Sequence, residues 1–262
     1  MALGALGLGA AAPAWCDLGL NMTAGVTATS REIYELHMLI LWVCVVIAVG
    51  VYGAMIYAIV KFRKSKGAQP AKFTHSYTVE VVWTVIPAII LIAMAIPAAE
   101  TLIRMEDTRG SELTIKVTGY QWRWHYDYID DGVQFFSTLA RDSNAARKRG
   151  SGIDPTTIEN YLLEVDNPLV VPVNTKVRLL VTAADVLHAW WMPAFGVKKD
   201  AIPGFINETW FTADTEGTYR GQCAELCGMD HGFMPIVVRV TSQDEFDAWR
   251  DAQREQVSSL AP

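Results

Sequence analysis

The sequence predicts a membrane-anchored all-β protein, in which an N-terminal two-helix transmembrane hairpin precedes a sandwich or barrel of short strands. Two long segments in the N-terminal part carry no charged side chain. The absence of charge over such a length is typical of membrane-spanning helices. After Arg104 the pattern changes to short alternating runs that Gly, Pro and Asn separate. Such runs are typical of the strands of a sandwich or barrel.

The N-terminal segment has the composition of a secretory signal. Residues 1–14 are rich in Ala, Leu and Gly and end in Ala-Ala-Pro-Ala, although no basic residue precedes them. We interpret residues 1–30 as the remnant of such a signal or as an N-terminal tail. Thr29 and Glu32 then have the spacing of a capping box, which predicts a helix start just before the first apolar segment.

The two uncharged segments predict a pair of membrane spans. Residues 38–60 would form a helix about 34 Å long, which is enough to cross a bilayer. Residues 81–99 form the second segment, and its two prolines are tolerated where neighbouring groups satisfy the backbone. We expect a hairpin over residues 31–104, with spans at about 37–60 and 80–103.

The loop between the spans is basic and sets the orientation of the hairpin. No acidic residue occurs in this loop, whose basic residues are Lys61, Arg63, Lys64, Lys66 and Lys72. The positive-inside rule places such a loop on the cytoplasmic side. Both termini, and the domain that follows the hairpin, are then expected on the outer side.

Residues 105–241 contain the strand-like segments and form the expected β domain. These segments are 113–120, 122–128, 161–165, 176–183, 208–213, 219–223 and 236–241. Residues 242–262 predict a C-terminal helix and tail, because a second capping-box pattern opens the segment and Phe246 and Trp249 share one helical face.

The part of the chain after Arg104 is acidic. It contains 23 acidic and 15 basic residues, a net charge of -8, against -6 for the whole chain. Residues 141–154 are a polar, locally basic exception, which we interpret as a solvated surface insertion between strands. The acidic balance and the membrane spans argue against a nucleic-acid partner.

One segment near the C-terminal end concentrates side chains that bind soft metals. It carries Cys223, Cys227, His231 and Met234, and His188 upstream supplies a second imidazole. Blue-copper sites use two His, one Cys and a weak axial Met, and an extra Cys would let two thiolates bridge two metal ions. We therefore predict a binuclear copper centre that transfers electrons. The alternatives are a disulfide or a tetrahedral zinc site.

This segment, Gly221-Gln-Cys-Ala-Glu-Leu-Cys-Gly-Met-Asp-His-Gly-Phe-Met-Pro235, resembles the CuA loop of the cytochrome c oxidase subunit II family. The resemblance runs from about Glu32 to about Trp249. It implies a cupredoxin-like Greek-key sandwich for the β domain and a binuclear copper cofactor, CuA. The two thiolates would bridge both coppers, with His188 on one copper and His231 on the other.

The resemblance also implies roles for weaker ligands and for a second metal. Met234 would be a weak ligand of one copper, and the backbone carbonyl of Glu225 a weak ligand of the other. The side chain of Glu225 would bind a magnesium ion at the contact with subunit I, as a hard carboxylate can. The alternative for this side chain is a solvated loop acid.

Further residues match family positions that serve electron and proton transfer. Trp122 would be the surface point at which electrons enter from cytochrome c. Asp127, Asp166 and Asp185 would belong to an acidic patch that docks this basic partner, although each alone could be an ordinary solvated charge. Glu80 would lie near the entrance of a proton channel, or would simply favour the start of its helix.

The implied function is that of subunit II of a proton-translocating cytochrome c oxidase. The chain would accept electrons from cytochrome c and pass them to haem in subunit I, where oxygen is reduced to water. Its partners would be subunit I, other oxidase subunits and the lipid bilayer of a bacterial inner membrane, with the copper domain periplasmic; a mitochondrial inner membrane is the alternative. A quinol oxidase subunit II without copper ligands, a membrane-tethered copper chaperone and a disulfide-stabilised structural domain are the competing interpretations.

Overall fold

The structure is a computed structural model that describes residues 21–260, with side chains described as far as residue 255. The signal-like segment 1–14 lies outside the described residues. Two helices, α1 (Ala28–Lys61) and α2 (Tyr77–Met105), form the N-terminal hairpin. Their lengths of 34 and 29 residues and their apolar composition suffice to cross a membrane. Two prolines lie inside α2 without ending it.

Helix α1 begins earlier than the sequence pattern predicted. Thr27 is the N-cap residue, because its hydroxyl accepts a hydrogen bond from the backbone N–H of Ser30 at 2.9 Å. The Ser30 hydroxyl accepts one from the backbone N–H of Thr27 at 3.1 Å, which completes a capping box. The capping box predicted for Thr29 and Glu32 is therefore wrong, since both residues lie inside the helix. Glu32 instead forms an ion pair with Arg104 of α2 at 3.1 Å.

The residues that precede α1 join the hairpin to the β domain. The backbone N–H of Val26 donates to the carbonyl of Ala194 at 2.8 Å, and the Val26 carbonyl accepts from Asp214 at 3.0 Å. The Thr27 hydroxyl donates to the carbonyl of Phe195 at 2.9 Å. Thr27 is buried, so these hydrogen bonds are shielded from water and fix the start of α1 on the domain.

Ten strands form two packed sheets of five strands each. They are β1 (Leu113–Tyr120), β2 (Arg123–Tyr128), β3 (Val133–Ser137), β4 (Leu169–Pro172), β5 (Val177–Ala183), β6 (His188–Met192), β7 (Val197–Ala201), β8 (Asn207–Phe211), β9 (Gly217–Cys223) and β10 (Pro235–Thr241). The strand orders are β3-β2-β1-β5-β8 and β4-β10-β9-β6-β7. The β1–β5 and β4–β10 pairs are parallel and the others antiparallel. The domain is thus a sandwich, not a barrel.

Most of the predicted strands are present, but one was placed wrongly. Residues 161–165 do not form a strand, because Asn160 and Leu162 adopt left-handed backbone angles with φ of 52° and 63°, which interrupt an extended chain. The strand of this region is β4 instead, a few residues further on. The sequence pattern also missed β3, β6 and β7, and His188 is the first residue of β6.

The side chains of strand β2 alternate between core and surface. Trp124, Tyr126 and Tyr128 point inward and are fully buried, while the intervening residues face outward. The Tyr128 hydroxyl donates to the Val170 carbonyl at 2.6 Å and accepts from the Val170 N–H at 3.0 Å. Since Val170 belongs to β4 of the opposite sheet, these two bonds connect the layers of the sandwich.

Two further helices cover the sandwich. The predicted C-terminal helix is present as α4 (Gln243–Leu260), which packs Phe246 and Trp249 against the buried Tyr128 ring. The polar segment 141–154 is only partly a solvated insertion. It begins with α3 (Arg141–Ala146), in which Ser143 and Ala146 are buried.

Candidate metal centre

The predicted ligands come together at one end of the second sheet. His188 begins β6 and Cys223 ends β9, and these antiparallel neighbours place Trp190 opposite Cys223. The connection from β9 to β10 carries Cys227 and His231, and Met234 lies directly before β10. The ends of three adjacent strands therefore determine where these side chains lie.

Two cysteine thiols form the middle of the site. The Sγ atoms of Cys223 and Cys227 are 3.9 Å apart, and both residues are buried. A disulfide bond measures about 2.0 Å between its sulfurs, so the two residues are free thiols in this geometry. The structural disulfide considered from the sequence is not formed.

The remaining donors surround the sulfurs on different sides. Nδ1 of His188 lies 3.9 Å from the sulfur of Cys223, and Nδ1 of His231 lies 3.5 Å from that of Cys227. The thioether sulfur of Met234 is also 3.5 Å from the Cys227 sulfur. Each thiol thus has an imidazole neighbour, and with the Met234 thioether the donors exceed the four ligands of a tetrahedral zinc site.

Glu225 contributes to the site through its backbone. Its carbonyl oxygen lies 3.4 Å from the sulfur of Cys223, whereas the residue itself is exposed. The full donor set contains two thiols, two imidazoles, a thioether and a carbonyl. Thiolates and thioethers are soft ligands that favour copper, so the residues present fit a copper centre.

The two thiols differ in how easily they ionise. Burial opposes ionisation of Cys223, but hydrogen bonds with His188 and with the backbone of Ala189 and Glu225 outweigh it and lower the pKa to about 7. Burial and the neighbouring charge on Cys223 raise the pKa of Cys227 to about 12. The metal-free pair therefore forms one thiolate readily and resists a second, because two negative charges would lie side by side. A bound cation would remove that repulsion.

A carboxylate orients the imidazole of His188. Oδ1 of Asp185 lies 3.0 Å from Nε2 of His188, which leaves Nδ1 to face the sulfurs. The other oxygen of Asp185 accepts from the backbone N–H of Gln121 at 2.8 Å, and Oδ1 also accepts from that of Val186 at 2.7 Å. Partial burial opposes ionisation, but these hydrogen bonds outweigh it and lower the pKa of Asp185. A carboxylate behind a ligating histidine is a common arrangement in metal sites.

The position of the His188 ring also depends on Gly119 of β1. A Cβ atom at residue 119 would lie 2.8 Å from Cδ2 of His188, so a larger residue there would displace the fully buried ring. The indole of Trp124 packs edge-on to the same ring, with 5.9 Å between the ring centroids. The imidazole is thus enclosed on several sides before any metal binds.

Trp122 lies in the tight turn between β1 and β2 and directly contacts residues 223–234, the ligand segment. Its indole Nε1 donates to the carbonyl of Cys227 at 3.2 Å, and the side chain of Gln121 donates to the same carbonyl at 2.9 Å. Gly228 makes this approach possible, because a Cβ there would lie 3.1 Å from the indole and its φ is +118°. Trp122 is half-buried, so it connects the surface with a ligand residue.

The structure does not gather the other predicted residues at the metal site. Asp127 lies on the outer face of β2 opposite Lys116. The carboxylate of Asp166 accepts two hydrogen bonds from Thr138, both at 2.7 Å. Glu80 lies in the first turn of α2, roughly 40 Å from the end of that helix nearest the β domain.

The domain and the hairpin both match known family models. The model described as the periplasmic domain of cytochrome c oxidase subunit II matches residues 113–241, and that of its transmembrane domain matches residues 13–100. The chain belongs to the cytochrome c oxidase subunit II family. As a subunit II, it is part of an oxidoreductase complex anchored in a membrane. Membership confirms the predicted fold class, a two-helix transmembrane hairpin followed by a cupredoxin-like sandwich.

Two sequence relatives agree with this assignment. The probable cytochrome c oxidase subunit 2 of Rickettsia bellii is 42% identical over 220 residues, which cover 84% of this chain and 78% of the relative. Cytochrome c oxidase subunit 2 of Cereibacter sphaeroides is 35% identical over 255 residues, which cover 93% and 84%. The crystal structure of the periplasmic domain of subunit II of the Bradyrhizobium japonicum oxidase is 47% identical. That comparison covers 57% of this chain and 98% of the other, with a TM-score of 0.49.

Sequence reasoning missed several residues that shape the site of this subunit II. Asp185 was predicted as a docking acid, yet its oxygens bond His188 and backbone amides. The three-residue spacing of Asp185 and His188 was the one local signal for this contact. Gly119 gave no signal, because its contact with His188 joins segments far apart in the chain.

Proposed function

We propose that this subunit holds a binuclear copper centre, CuA, which accepts electrons from cytochrome c and passes them to haem in subunit I. Oxygen would there be reduced to water, coupled to proton pumping. The observation that carries the proposal is the pair of buried thiols of Cys223 and Cys227, 3.9 Å apart, each with a different imidazole beside it. Met234 and the carbonyl of Glu225 complete the set of ligands.

A bound copper pair would supply one-electron redox chemistry at this position. The residues of the chain keep the ligands in place and limit access of water. His188 is oriented by Asp185 and enclosed by Gly119, and Cys223 belongs to the end of a regular strand. The positions of ligands fixed in this way change little when the charge of the site changes, which favours fast electron transfer.

The contact of Trp122 with the ligand segment supports its role as the point where electrons enter. A hydrogen bond joins its indole directly to the carbonyl of Cys227. The net charge of -8 beyond Arg104 favours a basic partner such as cytochrome c. For this docking, Asp166 is exposed, Asp127 is half-buried, and the side chain of Asp185 is 33% exposed.

The other assignments follow from position and resemblance. The exposed carboxylate of Glu225 would bind magnesium at the contact with subunit I, and Glu80 would lie at a proton-channel entrance. The basic loop between α1 and α2 would be cytoplasmic, which makes the copper domain periplasmic in a bacterial inner membrane. We retain residues 31–104, 105–241 and 242–262 as the membrane hairpin, copper domain and C-terminal segment. Nucleic acid is not a proposed partner.

The burial of the ligands argues against a copper chaperone. A chaperone needs exposed ligands that a partner can reach, whereas His188, Cys223, Cys227 and Met234 are at most 6% exposed. A quinol oxidase subunit II would lack this set of ligands altogether. The copper electron-transfer function therefore accounts best for the site.

Metal content and electron paramagnetic resonance of the full-length chain in detergent test the proposal. We expect two coppers per chain and a seven-line hyperfine pattern, because an electron shared by two equivalent copper nuclei gives seven lines whereas one nucleus gives four. Cys227→Ser should abolish the seven-line pattern. Cys44→Ser, which changes an exposed thiol in α1, is the matched control and should leave it intact. One copper with four lines, bound zinc, or a Cys223–Cys227 disulfide without metal would refute the proposal.

A further inference from the structure

An ion pair holds the ligand segment to the polar insertion. Arg147 follows α3 directly, and its two terminal nitrogens donate to the two carboxylate oxygens of Asp230 at 3.0 and 2.9 Å. The side chains are 24% and 21% exposed, so the pair is largely shielded from solvent. Asp230 immediately precedes His231, one of the proposed copper ligands.

The same guanidinium makes two more contacts. Its Nε donates to the side-chain carbonyl of Asn144 at 2.8 Å, and its central carbon lies 4.3 Å from the ring centroid of Phe233. Phe233 immediately precedes the ligand Met234. Arg147 therefore contacts the residues next to two ligands, through a bidentate bond that fixes direction and a cation–π contact.

The polar insertion that carries Arg147 is itself attached to the sandwich. Ser143 of α3 is fully buried, and its hydroxyl accepts from the backbone N–H of Leu162 at 3.1 Å. The backbone N–H of Ala140 donates to the carbonyl of Glu164 at 2.9 Å. These hydrogen bonds hold the insertion on the sandwich, and Arg147 in turn connects the insertion to the ligand segment.

We propose that Arg147 is a positioning residue, which holds residues 230–234 in their ligating arrangement before metal binds. The segment has little regular structure of its own. Within it, a short 3-10 turn (His231–Phe233) depends on one bond of 2.9 Å from the Phe233 N–H to the Asp230 carbonyl. Without Arg147 the segment would sample other conformations, and metal binding would have to order it. The part of the inference that concerns metal rests on the proposed copper function.

Hydrogen exchange of the metal-free, full-length chain tests the positioning directly. We expect Arg147→Ala to speed exchange of the His231 and Phe233 amides by about tenfold or more, because local opening becomes easier. Arg178→Ala is the matched control. Arg178 forms a similar bidentate pair with Glu208, at 3.1 and 2.6 Å, on β5 and β8, and its loss should leave these two amides unchanged.

Two further variants distinguish a loss of positioning from simple misfolding. Arg147→Lys keeps the charge but not the bidentate geometry, so it should give an intermediate rate. Asp230→Asn keeps the shape but removes the partner charge, so it should behave like Arg147→Ala. Unchanged exchange in both Arg147→Ala and Asp230→Asn, or an equal effect of Arg178→Ala, would overturn the inference.

Copper loading provides a second, spectroscopic measurement. Outer residues that orient ligands typically contribute 10–100-fold to metal affinity, so we expect a loss of about that size in Arg147→Ala. Its hyperfine pattern should also change, with partial recovery in Arg147→Lys and none of these effects in Arg178→Ala. If the wild-type chain bound no copper, the proposed function would fail, while the exchange rates would still decide the role of Arg147.

Discussion

The carboxylate of Asp185 selects the ring nitrogen of His188 that faces the metal site. Its Oδ1 lies 3.0 Å from Nε2, while Nδ1 lies 3.9 Å from the sulfur of Cys223. The contact makes Asp185 part of the site, in addition to any role on the docking surface. The side chain of Asp185 is 33% exposed.

A comparison of Asp185→Asn with Asp127→Asn separates these two roles. The amide keeps the size of the side chain but loses the charge that stabilises the His188 N–H, so copper affinity should fall by about 10–100-fold. A chelator competition assay on the full-length chain measures this loss. Asp127→Asn, which removes an acid remote from the imidazole, is the control and should affect only the association rate with cytochrome c and its salt dependence. An equal copper affinity in the two variants would contradict the orienting role.

Gly119→Ala tests the close approach of β1 to His188. The added methyl group would lie 2.8 Å from the ring, so the imidazole must move or the strand must shift. We expect a stability loss of about 1–3 kcal/mol from overpacking, measured by denaturant unfolding, together with an altered copper spectrum. Gly232→Ala, in the ligand segment itself, is the control, because a methyl group there meets no atom within 4 Å. Normal spectra in Gly119→Ala would show that the ring has room to adjust.

Trp122→Phe tests the path by which electrons enter. The substitution keeps an aromatic ring but removes the hydrogen bond to the Cys227 carbonyl, so electron transfer from cytochrome c should slow while copper content stays at the wild-type level. Stopped-flow reduction measures the rate, and metal analysis measures the content. Trp191→Phe, at another partly exposed tryptophan, should leave the rate unchanged. A wild-type rate in Trp122→Phe would assign the entrance to another residue.

The pair of Arg178 and Glu208 predicts a small acid sensitivity of the β domain. The hydrogen bond from Arg178 lowers the pKa of Glu208 below its ordinary value of 4.5. Because the folded-state pKa is the lower one, this stabilisation is present above pH 4.5 and is lost as the pH falls through the folded-state value. Both side chains are about one-third or more exposed, so its size should be only about 0.2–1 kcal/mol.

Unfolding of the wild type and of Glu208→Gln across this pH range measures the effect. The difference in stability between the two should be largest near neutral pH and should shrink as the medium becomes acidic. A difference that stays constant with pH would mean that packing, not charge, explains it. Salt should also reduce the difference, because the pair is near the surface.

Local patterns suggested the proposed ligands but did not indicate the residues that position them. Cys223, Cys227, His231 and Met234 lie within one short segment, so their residue types and spacing suffice to suggest copper. The ion pair of Arg147 and Asp230 joins residues 83 positions apart, and no local pattern reports such a contact. The wrongly placed strand at residues 161–165 has a similar cause. Its composition favours a strand, but left-handed Asn160 and Leu162 prevent one.

The hydrogen bonds between the start of α1 and the β domain have a consequence for the whole complex. His188 lies at one end of β6, and Phe195, which bonds Thr27, lies just beyond the other end. Strand β6 and the short turn Pro193–Phe195 therefore act as a spacer of roughly 20 Å between the proposed metal site and the first membrane helix. A chain loosened at Val26 and Thr27 would keep its ligands but would no longer hold them at a constant height above the bilayer. Any acceptor embedded in the membrane would then meet the donor over a range of separations instead of one.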